Sequence, residues 1–399
     1  MKNLRIGFVC YPTFGGSGVV ATELGKALAD KGHELHFITY SAPARMGSLK
    51  KNLYYHEVRV SDYPLFDYQP YELVLASKMV EVAKTHDLDL LHVHYAIPHA
   101  SAAITARDIL AKEGINLPIV TTLHGTDITL LGKDPAFEPV IAHAINESDA
   151  VTAVSHSLKS DTLELFGVDR EIEVIHNFIC PSHFERDADE QFRRSVAPNG
   201  EPIITHISNF RPVKRVEDVV DVFAAVRSKQ PAKLLLVGDG PERSRAEKRA
   251  EDRGVRADVV SIGKIKNPIE PLLVSDLFLL PSETESFGLS ALEALAAGVP
   301  VVASDAGGLP EVVEHGVSGY LAAVGDVEAM GRHAHALLDN PDQHAAARPN
   351  FMQVIWDPRQ RGTGRFVEDI VELQVHAHTP HAHAHGTFCE LSPLHAAGR

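Results

Sequence analysis

The sequence predicts an α/β protein of two doubly wound domains that face each other across a cleft. Short, almost continuously apolar runs such as RIGFVCY (5–11) alternate with segments of helical periodicity, and the alternation occurs in two series. Strands that are apolar along their whole length are typical of parallel sheets with helices on both faces. A chain of 399 residues has the length for two such domains.

The first series predicts an N-terminal domain over residues 1–180. After the first strand, a glycine-rich turn leads into VVATELGKALADKG, whose apolar residues recur at helical spacing up to Gly32. The further predicted strands of this domain are HELHFITY, LDLLHVHY, PIVTTLHG, DAVTAVS and EIEVIHNF.

The second series predicts a C-terminal domain over residues 201–345, and the polar segment 181–200 between the two series is interpreted as a linker. Ligands of doubly wound sheets bind at the carboxyl ends of the strands, so we expect the site in the cleft. The predicted strands are PIITHISNF, AKLLLVGDG, DVVSIGKI, DLFLLPS, PVVASDA and SGYLAAV.

Composition and charge exclude several classes of protein. The net charge of −15 argues against general binding of nucleic acid, which requires a basic face. Three scattered cysteines form no visible disulfide framework. No apolar run has the length of a signal peptide or of a membrane span. These features predict a soluble, cytoplasmic protein without a membrane partner, and a homodimer is left open.

The turn after the first strand is a candidate anion site. In FGGSGVV (14–20), Gly16, Gly18 and Ala21 fit the loose G-x-G-x-x-A form of the dinucleotide fingerprint. The second strand ends without the acidic residue that holds a ribose, so a nicotinamide cofactor is discounted. The pattern favours backbone N–H groups that face an anion at a helix start. A tight turn without a ligand is the alternative.

A basic loop follows the first strand of the second domain. SNFRPVKR (208–215) carries Arg211, Lys214 and Arg215 where a strand ends. In an acidic protein, a basic cluster at that place indicates a phosphate clamp, and a solvated loop is the alternative.

Two carboxylates flank a predicted helix start in ETESFGLSALEALAAG. Glu285 lies in the turn before a helix that begins near Phe287, and Glu293 lies inside that helix. The N–H groups of Phe287, Gly288 and Leu289 then point into the cleft. An anion site with a carboxylate on each side suits a nucleotide sugar, because the carboxylates can accept hydrogen bonds from sugar and ribose hydroxyls.

Histidines and a D-x-D pattern are the candidates for acid–base or metal chemistry. His124 ends a predicted strand and is a candidate hydrogen-bonding group, although a single histidine is more often structural. His92 and His94 share one face of a strand, and packing is favoured over metal binding because no third ligand is near. Asp87 and Asp89 precede their strand, at the wrong end of the sheet for a site in the cleft.

These motifs together resemble the retaining family 4 glycosyltransferases of the GT-B fold, which has two Rossmann-like domains. The resemblance covers about residues 4–340 and rests on the E-x7-E pattern, SNFRPVKR, LLLVGDGPE, YPTFGGSGVVATELG, HVHYAIPHA and TTLHGTDIT. The last two segments resemble most the members that use malate. The resemblance implies UDP-N-acetylglucosamine as donor and the hydroxyl of L-malate as acceptor, in the first step of bacillithiol synthesis, with retention of configuration and without metal or cofactor.

The resemblance also implies roles for single residues of the donor site. Glu285 binds the transferred sugar, Glu293 binds the uridine ribose, and Arg211 and Lys214 hold the diphosphate. His124 donates to or accepts from the sugar.

For the remaining contacts, the resemblance implies that the loop at Gly16 approaches the donor phosphate. It places the malate carboxylates in the first domain, near Ser17, Tyr95, Thr122 and Thr126.

The end of the chain departs from the family, whose members usually finish with a helix that crosses back onto the first domain. Residues 346–374 are a candidate crossing segment, but Pro349, Pro358 and Gly362 interrupt the helical pattern. Residues 375–399 alternate histidine with small residues, which indicates a disordered tail, and metal binding by these histidines is the alternative.

Three classes of function remain open from the residues alone. The first is the sugar transferase, the second a related transferase with another acceptor or a UDP-sugar epimerase, and the third a non-enzymatic binder of nucleotide sugars. A binder has no need of His124, Glu285, Arg211 and Lys214 together.

Overall fold

The structure is a computed structural model, and it describes residues 3–13, 15–43, 45–47, 51–60, 69–339 and the single residue 372. Apart from that single residue, the candidate crossing segment and the histidine-rich tail lie outside the described residues.

The first domain contains a parallel sheet of seven strands among its described residues, in the order β3-β2-β1-β4-β5-β6-β7. Every residue of the central strands β4 and β5 is buried, because helices cover both faces. The strands are β1 (Arg5–Val9), β2 (Glu34–Thr39), β3 (Leu53–Glu57), β4 (Leu90–His94), β5 (Ile119–Leu123), β6 (Ala150–Ala153) and β7 (Ile172–Val174). The helices are α1 (Ser17–Asp30), α2 (Tyr71–His86), α3 (Ser101–Ala111), α4 (Glu138–Asn146) and α5 (His156–Leu165).

The second domain repeats the design with six parallel strands in its described part, in the order β10-β9-β8-β11-β12-β13. Its strands are β8 (Ile203–Ser208), β9 (Lys233–Gly238), β10 (Val259–Gly263), β11 (Leu277–Leu280), β12 (Val301–Ser304) and β13 (Gly319–Ala322). Its helices, with the one that precedes β8, are α6 (Glu190–Val196), α7 (Val216–Arg227), α8 (Arg243–Asp252), α9 (Ile269–Leu273), α10 (Leu289–Ala296) and α11 (Val327–Asp339).

The structure confirms the predicted fold class of two doubly wound domains. One strand escapes prediction: β3 is an edge strand in which only Leu53 is buried, so its sequence lacks the continuous apolar run of the inner strands. The predicted linker 181–200 contains α6, whose Phe192 and Val196 pack with Ile203 of β8.

The strand order reverses direction at one place in each sheet, between β1 and β4 in the first domain and between β8 and β11 in the second. Such switch points open a crevice at the carboxyl ends of the strands, because the neighbouring connections run to opposite faces. The loops after β1, β8 and β11 are therefore placed by the topology to form binding sites.

The two domains contact each other directly. One hydrophobic cluster contains Leu158 of α5 together with Phe287 and Leu309 of the second domain. Ser155 Oγ donates to the carbonyl of Ser286 at 2.6 Å. Within the described part of the chain, no helix combines the length and the apolar character that a membrane span requires.

Candidate functional site

The loops after β8 and β11 meet at the switch point of the second domain and form an ion pair. Lys214 Nζ lies 2.5 Å from Glu285 Oε1, and Ser282 Oγ donates to the same oxygen at 2.8 Å. Both charged side chains are largely buried, with 19% and 12% of the side chain exposed. A charge-assisted hydrogen bond in such surroundings orients both groups.

The backbone of Glu285 is locked by the loop after β12. The Gly308 N–H donates to the Glu285 carbonyl at 2.8 Å. A Cβ on Gly307, whose φ is +57°, would lie 2.1 Å from that carbonyl oxygen. Because only glycine permits this approach, the segment DAGGLP holds the loop of Glu285 in place.

The basic loop divides into two parts. Arg211 is exposed, whereas Nε of Arg215 donates to Asp218 Oδ2 at 2.7 Å. Arg215 is thereby engaged with the first turn of α7, and the phosphate clamp of Arg211 and Lys214 stays a prediction.

The N-terminus of α10 lies directly after Glu285. The helix begins at Leu289, two residues later than predicted, because Gly288 has a φ of 95° that ends the preceding turn. The first intrahelical bonds run from Ala291 and Leu292 to the Gly288 carbonyl. The preceding amides, including those of Phe287 and Leu289, therefore lie where a helix offers no internal acceptor, which suits an anion.

Glu293 is buried inside α10, and its partner comes from the other domain. Arg45 Nη2 lies 3.3 Å from Glu293 Oε1. Burial raises the pKa of Glu293, and Arg45 opposes that rise. A buried carboxylate with one distant partner keeps acceptor capacity for further hydroxyl groups.

His124 belongs to a row of buried histidines at the carboxyl ends of β4 and β5. His124 Nε2 and His94 Nδ1 are 2.7 Å apart, and His92 Nε2 and Thr122 Oγ1 are 2.9 Å apart. The rings of His92 and His94 stack with centroids separated by 4.8 Å, which explains the H-x-H pattern as packing.

Burial also determines the charge of the His124 imidazole. Removal from water lowers the pKa of His124 to about 3, and His99 contributes to the decrease. His124 is therefore neutral at physiological pH. It can exchange one hydrogen bond with a ligand but cannot serve as a cationic acid.

The predicted acceptor residues do not all present free hydroxyls. Ser17 Oγ and Tyr95 OH are 2.6 Å apart, and the Tyr95 hydroxyl also shares a hydrogen bond with Thr126, so the three hydroxyls form one chain with one proton left for a ligand. Thr126 is exposed. Thr122 is 5% exposed, and its hydroxyl bonds with His92 and with Thr152 at 2.9 Å, which places it beneath the site.

The turn at Gly16 offers backbone amides to the same region. Gly16 has a φ of 57° and precedes α1, which carries no acidic residue in its first turn. A Cβ on Gly18 would lie 2.6 Å from the Tyr11 carbonyl, so the turn packs tightly against the chain that leaves β1.

Asp127 is a buried group that the sequence reasoning did not nominate. Its Oδ2 accepts from the Ala96 N–H at 2.7 Å, and Oδ1 has no partner among the described residues. Burial raises the pKa of Asp127 to about 6. Asp127 is the last residue of the HGTD segment, which begins with His124. The sequence of this segment does not indicate that Asp127 is buried.

Gly125 and Ser286 form one of the contacts between the two halves of the site. A Cβ on Gly125 would lie 1.7 Å from Ser286 Oγ, and the φ of Gly125 is +107°. Since Gly125 follows His124 and Ser286 follows Glu285, the contact fixes the predicted sugar-binding residues of both domains near each other.

Two family models match the two halves of the chain. The model described as Glycosyltransferase Family 4 matches residues 14–183, and the model described as Glycosyl transferases group 1 matches residues 187–352. The fold and these matches define a glycosyltransferase with the two-domain GT-B architecture.

Comparison with single proteins narrows the class. The chain is 50% identical over 342 residues to the N-acetyl-alpha-D-glucosaminyl L-malate synthase of Bacillus anthracis. The aligned region covers 86% of this chain and 89% of that protein. The chain therefore belongs to the family 4 glycosyltransferases that include this enzyme.

Solved structures share the fold at low sequence identity. Anabaena Alr3699/HepE in complex with UDP-glucose superimposes with a TM-score of 0.76 at 21% identity, covering 94% of this chain and all (100%) of that chain. The sucrose-phosphate synthase of Thermosynechococcus elongatus gives a TM-score of 0.76 at 19% identity, with coverage of 94% and 100%. Both likenesses establish the GT-B architecture.

Proposed function

We propose that this glycosyltransferase moves N-acetylglucosamine from UDP-N-acetylglucosamine to the hydroxyl of L-malate with retention of the anomeric configuration. The observation that carries the proposal is the Lys214–Glu285 pair at the switch point of the second domain, one residue from the contact of Ser286 with Gly125. At this position the proposed phosphate-binding residue Lys214, the proposed sugar-binding residue Glu285 and the first domain come together. The name of the Bacillus anthracis relative supports the choice of substrates.

In the proposed donor complex, Arg211 and Lys214 bind the diphosphate. The Lys214 ammonium has three donors, so it can keep Glu285 oriented while it reaches a phosphate oxygen. The amides at the start of α10 contribute a second source of positive potential. Glu285 then accepts from a hydroxyl of the transferred sugar.

Glu293 is proposed to accept from the ribose hydroxyls. Its contact with Arg45 at 3.3 Å is long for a charge-assisted bond, and this leaves lone pairs for the nucleotide. Arg45 lies in the first domain, so ribose binding by Glu293 would also depend on domain closure.

The acceptor is proposed to lie against the first domain. Malate carries two carboxylates, which require donors. The hydroxyl proton left over in the chain of Ser17, Tyr95 and Thr126 and the amides that follow Gly16 can supply them. The hydroxyl of Thr122 is already used, so we assign Thr122 the role of holding His92.

The proposed reaction needs no nucleophile from the protein. The bond between the anomeric carbon and the β-phosphate oxygen breaks, and the malate hydroxyl oxygen bonds to that carbon on the same face. The hydroxyl proton passes to the departing phosphate oxygen. Arg211 and Lys214 stabilise the charge that develops on the phosphate, while neutral His124 positions the sugar.

A matrix of donors and acceptors tests the substrate assignment. UDP release and product mass would be measured for UDP-N-acetylglucosamine, UDP-glucose and UDP-galactose, each with L-malate, D-malate and L-lactate. We expect the highest kcat/KM for UDP-N-acetylglucosamine with L-malate. L-lactate lacks the second carboxylate, so it should lose part of the binding that the first domain provides. Faster transfer to an acceptor without two carboxylates would contradict the proposal.

A further inference from the structure

Three histidines from three different elements converge in the first domain, away from the cleft. They are His36 of β2, His56 of β3 and His86 in the last turn of α2. One ligand nitrogen from each lies within 4.8 Å of the other two. His36 is fully buried, and the other two are partly exposed.

We propose that this histidine triad binds a zinc ion that joins the edge strand β3 to β2 and α2. Zinc binds imidazole nitrogens at about 2.0–2.1 Å in tetrahedral sites, so two such nitrogens lie about 3.3 Å apart. His36 Nδ1 and His56 Nε2 are 2.9 Å apart. The distance between them would have to increase by only a few tenths of an ångström for both to bind the ion.

A carboxylate orients the central ligand. His36 Nε2 lies 2.9 Å from Glu34 Oε1, and a carboxylate can only accept there, so the proton of neutral His36 resides on Nε2. The lone pair of Nδ1 therefore points towards His56. Carboxylate–histidine–metal arrangements of this kind fix the tautomer of a zinc ligand.

The surroundings leave one side of the triad open. The Tyr54 ring stacks on His36 with centroids 4.9 Å apart and an interplanar angle of 13°, and covers one face. The partial exposure of His56 and His86 gives an ion access from solvent, with water as the fourth ligand.

The triad is separate from the transfer site. Its His86 lies towards the amino ends of the strands, since α2 runs back along the sheet and Asp87 at its end contacts Arg5 at the start of β1 at 3.2 Å. His36 and its neighbour Phe37 point to opposite faces of β2, and Phe37 packs on Gly25 of α1. The ion would stabilise the fold rather than take part in transfer, so the transfer site itself is still expected to work without a metal.

Among the described residues, a second group with suitable spacing is His156, His176 and Glu311. Its carboxylate already accepts from the N–H groups of His156 and Ser157 at 2.9 and 3.0 Å. Because binding of an ion there would compete with these bonds, the His36 triad is the stronger candidate.

The test uses cobalt and zinc on the full chain. Histidines 376, 378, 381, 383, 385 and 395 are first replaced by alanine, since the tail can bind metals by itself. In this background we expect Co²⁺ absorption bands typical of tetrahedral coordination, with one Co²⁺ bound per chain. Addition of Zn²⁺ should displace the Co²⁺ and remove the bands. His86→Ala and His56→Ala should each weaken binding more than about tenfold, the loss that even supporting residues cause. His143→Ala on the exposed surface of α4 should leave the affinity unchanged.

Thermal melting separates binding from misfolding. Zn²⁺ should raise the Tm of the parent protein and of His143→Ala but not of His86→Ala, and His86→Ala should keep normal turnover at a temperature well below its Tm. The proposal is overturned if the parent binds no Co²⁺, in which case the histidines merely share hydrogen bonds and stack, or if binding survives in both triad variants. Binding that is lost in Glu311→Ala but kept in His86→Ala would also overturn it, because the ion would then lie at the interface.

Discussion

At the residue scale, Glu285 is held by contacts from its own loop and from two other loops. Lys214 and Ser282 bind its carboxylate, and Gly308 binds its carbonyl. The carboxylate is therefore oriented before any ligand arrives, which favours tight and directional binding of a sugar hydroxyl.

The replacement Glu285→Ala should lower kcat/KM by at least about tenfold, because a hydrogen bond to a charged group contributes about 1.5–3 kcal/mol. The measurement is UDP release at saturating and limiting donor, with circular dichroism to verify folding. Glu283→Ala is the matched control, since Glu283 is exposed in the same loop. A folded Glu285→Ala enzyme with near-normal kcat/KM would refute the assigned role.

The sequence predicts a site residue when its placement follows from neighbouring residues. It does not predict pairings between residues that are far apart in the chain. The acidic and basic positions Glu285, Glu293 and Lys214 stand next to strand ends or in a helix start, so their placement follows from local patterns. The pairings Lys214–Glu285 and Arg45–Glu293 join residues 71 and 248 positions apart and required the structure. Asp127 was missed because a polar residue in a turn is expected to be exposed.

At the scale of elements, the inner strands were predictable because continuous apolar runs mark a sheet buried on both faces. The edge strand β3 was not, since only Leu53 of its residues is buried. The start of α10 was displaced by two residues because the left-handed conformation of Gly288 cannot be read from composition. The domain boundaries at 180, 200 and 345 stay predictions.

The loop that follows β5 contains Gly125, which packs directly against Ser286 of the second domain. Gly125→Ala should lower kcat strongly, because a Cβ 1.7 Å from Ser286 Oγ forces the two loops apart. Gly114→Ala is the control: Gly114 also has a positive φ, +77°, but no atom lies within 4 Å of the position that its Cβ would take. Equal loss of kcat in the two variants would attribute the effect to backbone strain and not to the contact.

Helix α5 is capped by a carboxylate from the other domain. Glu311 accepts from the N–H groups of His156 and Ser157 and lies 2.9 Å from His176 Nε2. These interactions lower the pKa of Glu311 despite its burial, so it is ionised at neutral pH.

Glu311→Ala should therefore lower Tm by several degrees, because two N–H groups at the start of α5 lose their acceptor and the domains lose charge-assisted bonds worth about 1.5–3 kcal/mol each. Differential scanning calorimetry measures the shift. Glu314→Ala changes an exposed carboxylate nearby and should leave Tm unchanged. Equal Tm values for wild type and Glu311→Ala would show that the interface does not depend on this residue.

At the scale of the whole molecule, buried histidines make stability depend on pH. Burial lowers the pKa of His92 and His124 to about 3 and of His99 and His206 to about 4. In the unfolded chain these groups have a pKa of about 6.5, so between about pH 6.5 and 4 the unfolded state binds more protons. The free energy of unfolding must fall as the pH decreases through this range. Two buried carboxyl groups act in the opposite direction, because the pKa of Asp127 is raised to about 6 and that of Glu293 is also raised, but the four histidines outnumber them.

Tm should accordingly decrease between about pH 7 and pH 5, with at most about 1.4 kcal/mol per pH unit from each histidine. Melting curves across this range measure the slope. His206→Gln removes one titrating group from the buried set and should flatten the slope, whereas His143→Ala on the surface should not. A Tm that rises on acidification would contradict the neutral state assigned to these histidines.

The most direct test of the proposed function follows transfer by proton NMR in the presence of EDTA. With UDP-N-acetylglucosamine and L-malate, the predicted result is a single α-linked glucosaminyl malate that forms at the same initial rate with and without the chelator. Retention follows from attack on the face that the phosphate leaves, and chelator resistance follows because Arg211 and Lys214 take the place of a metal at the diphosphate. A β-linked product, or transfer that stops in EDTA and resumes with Mg²⁺ or Mn²⁺, would contradict the account.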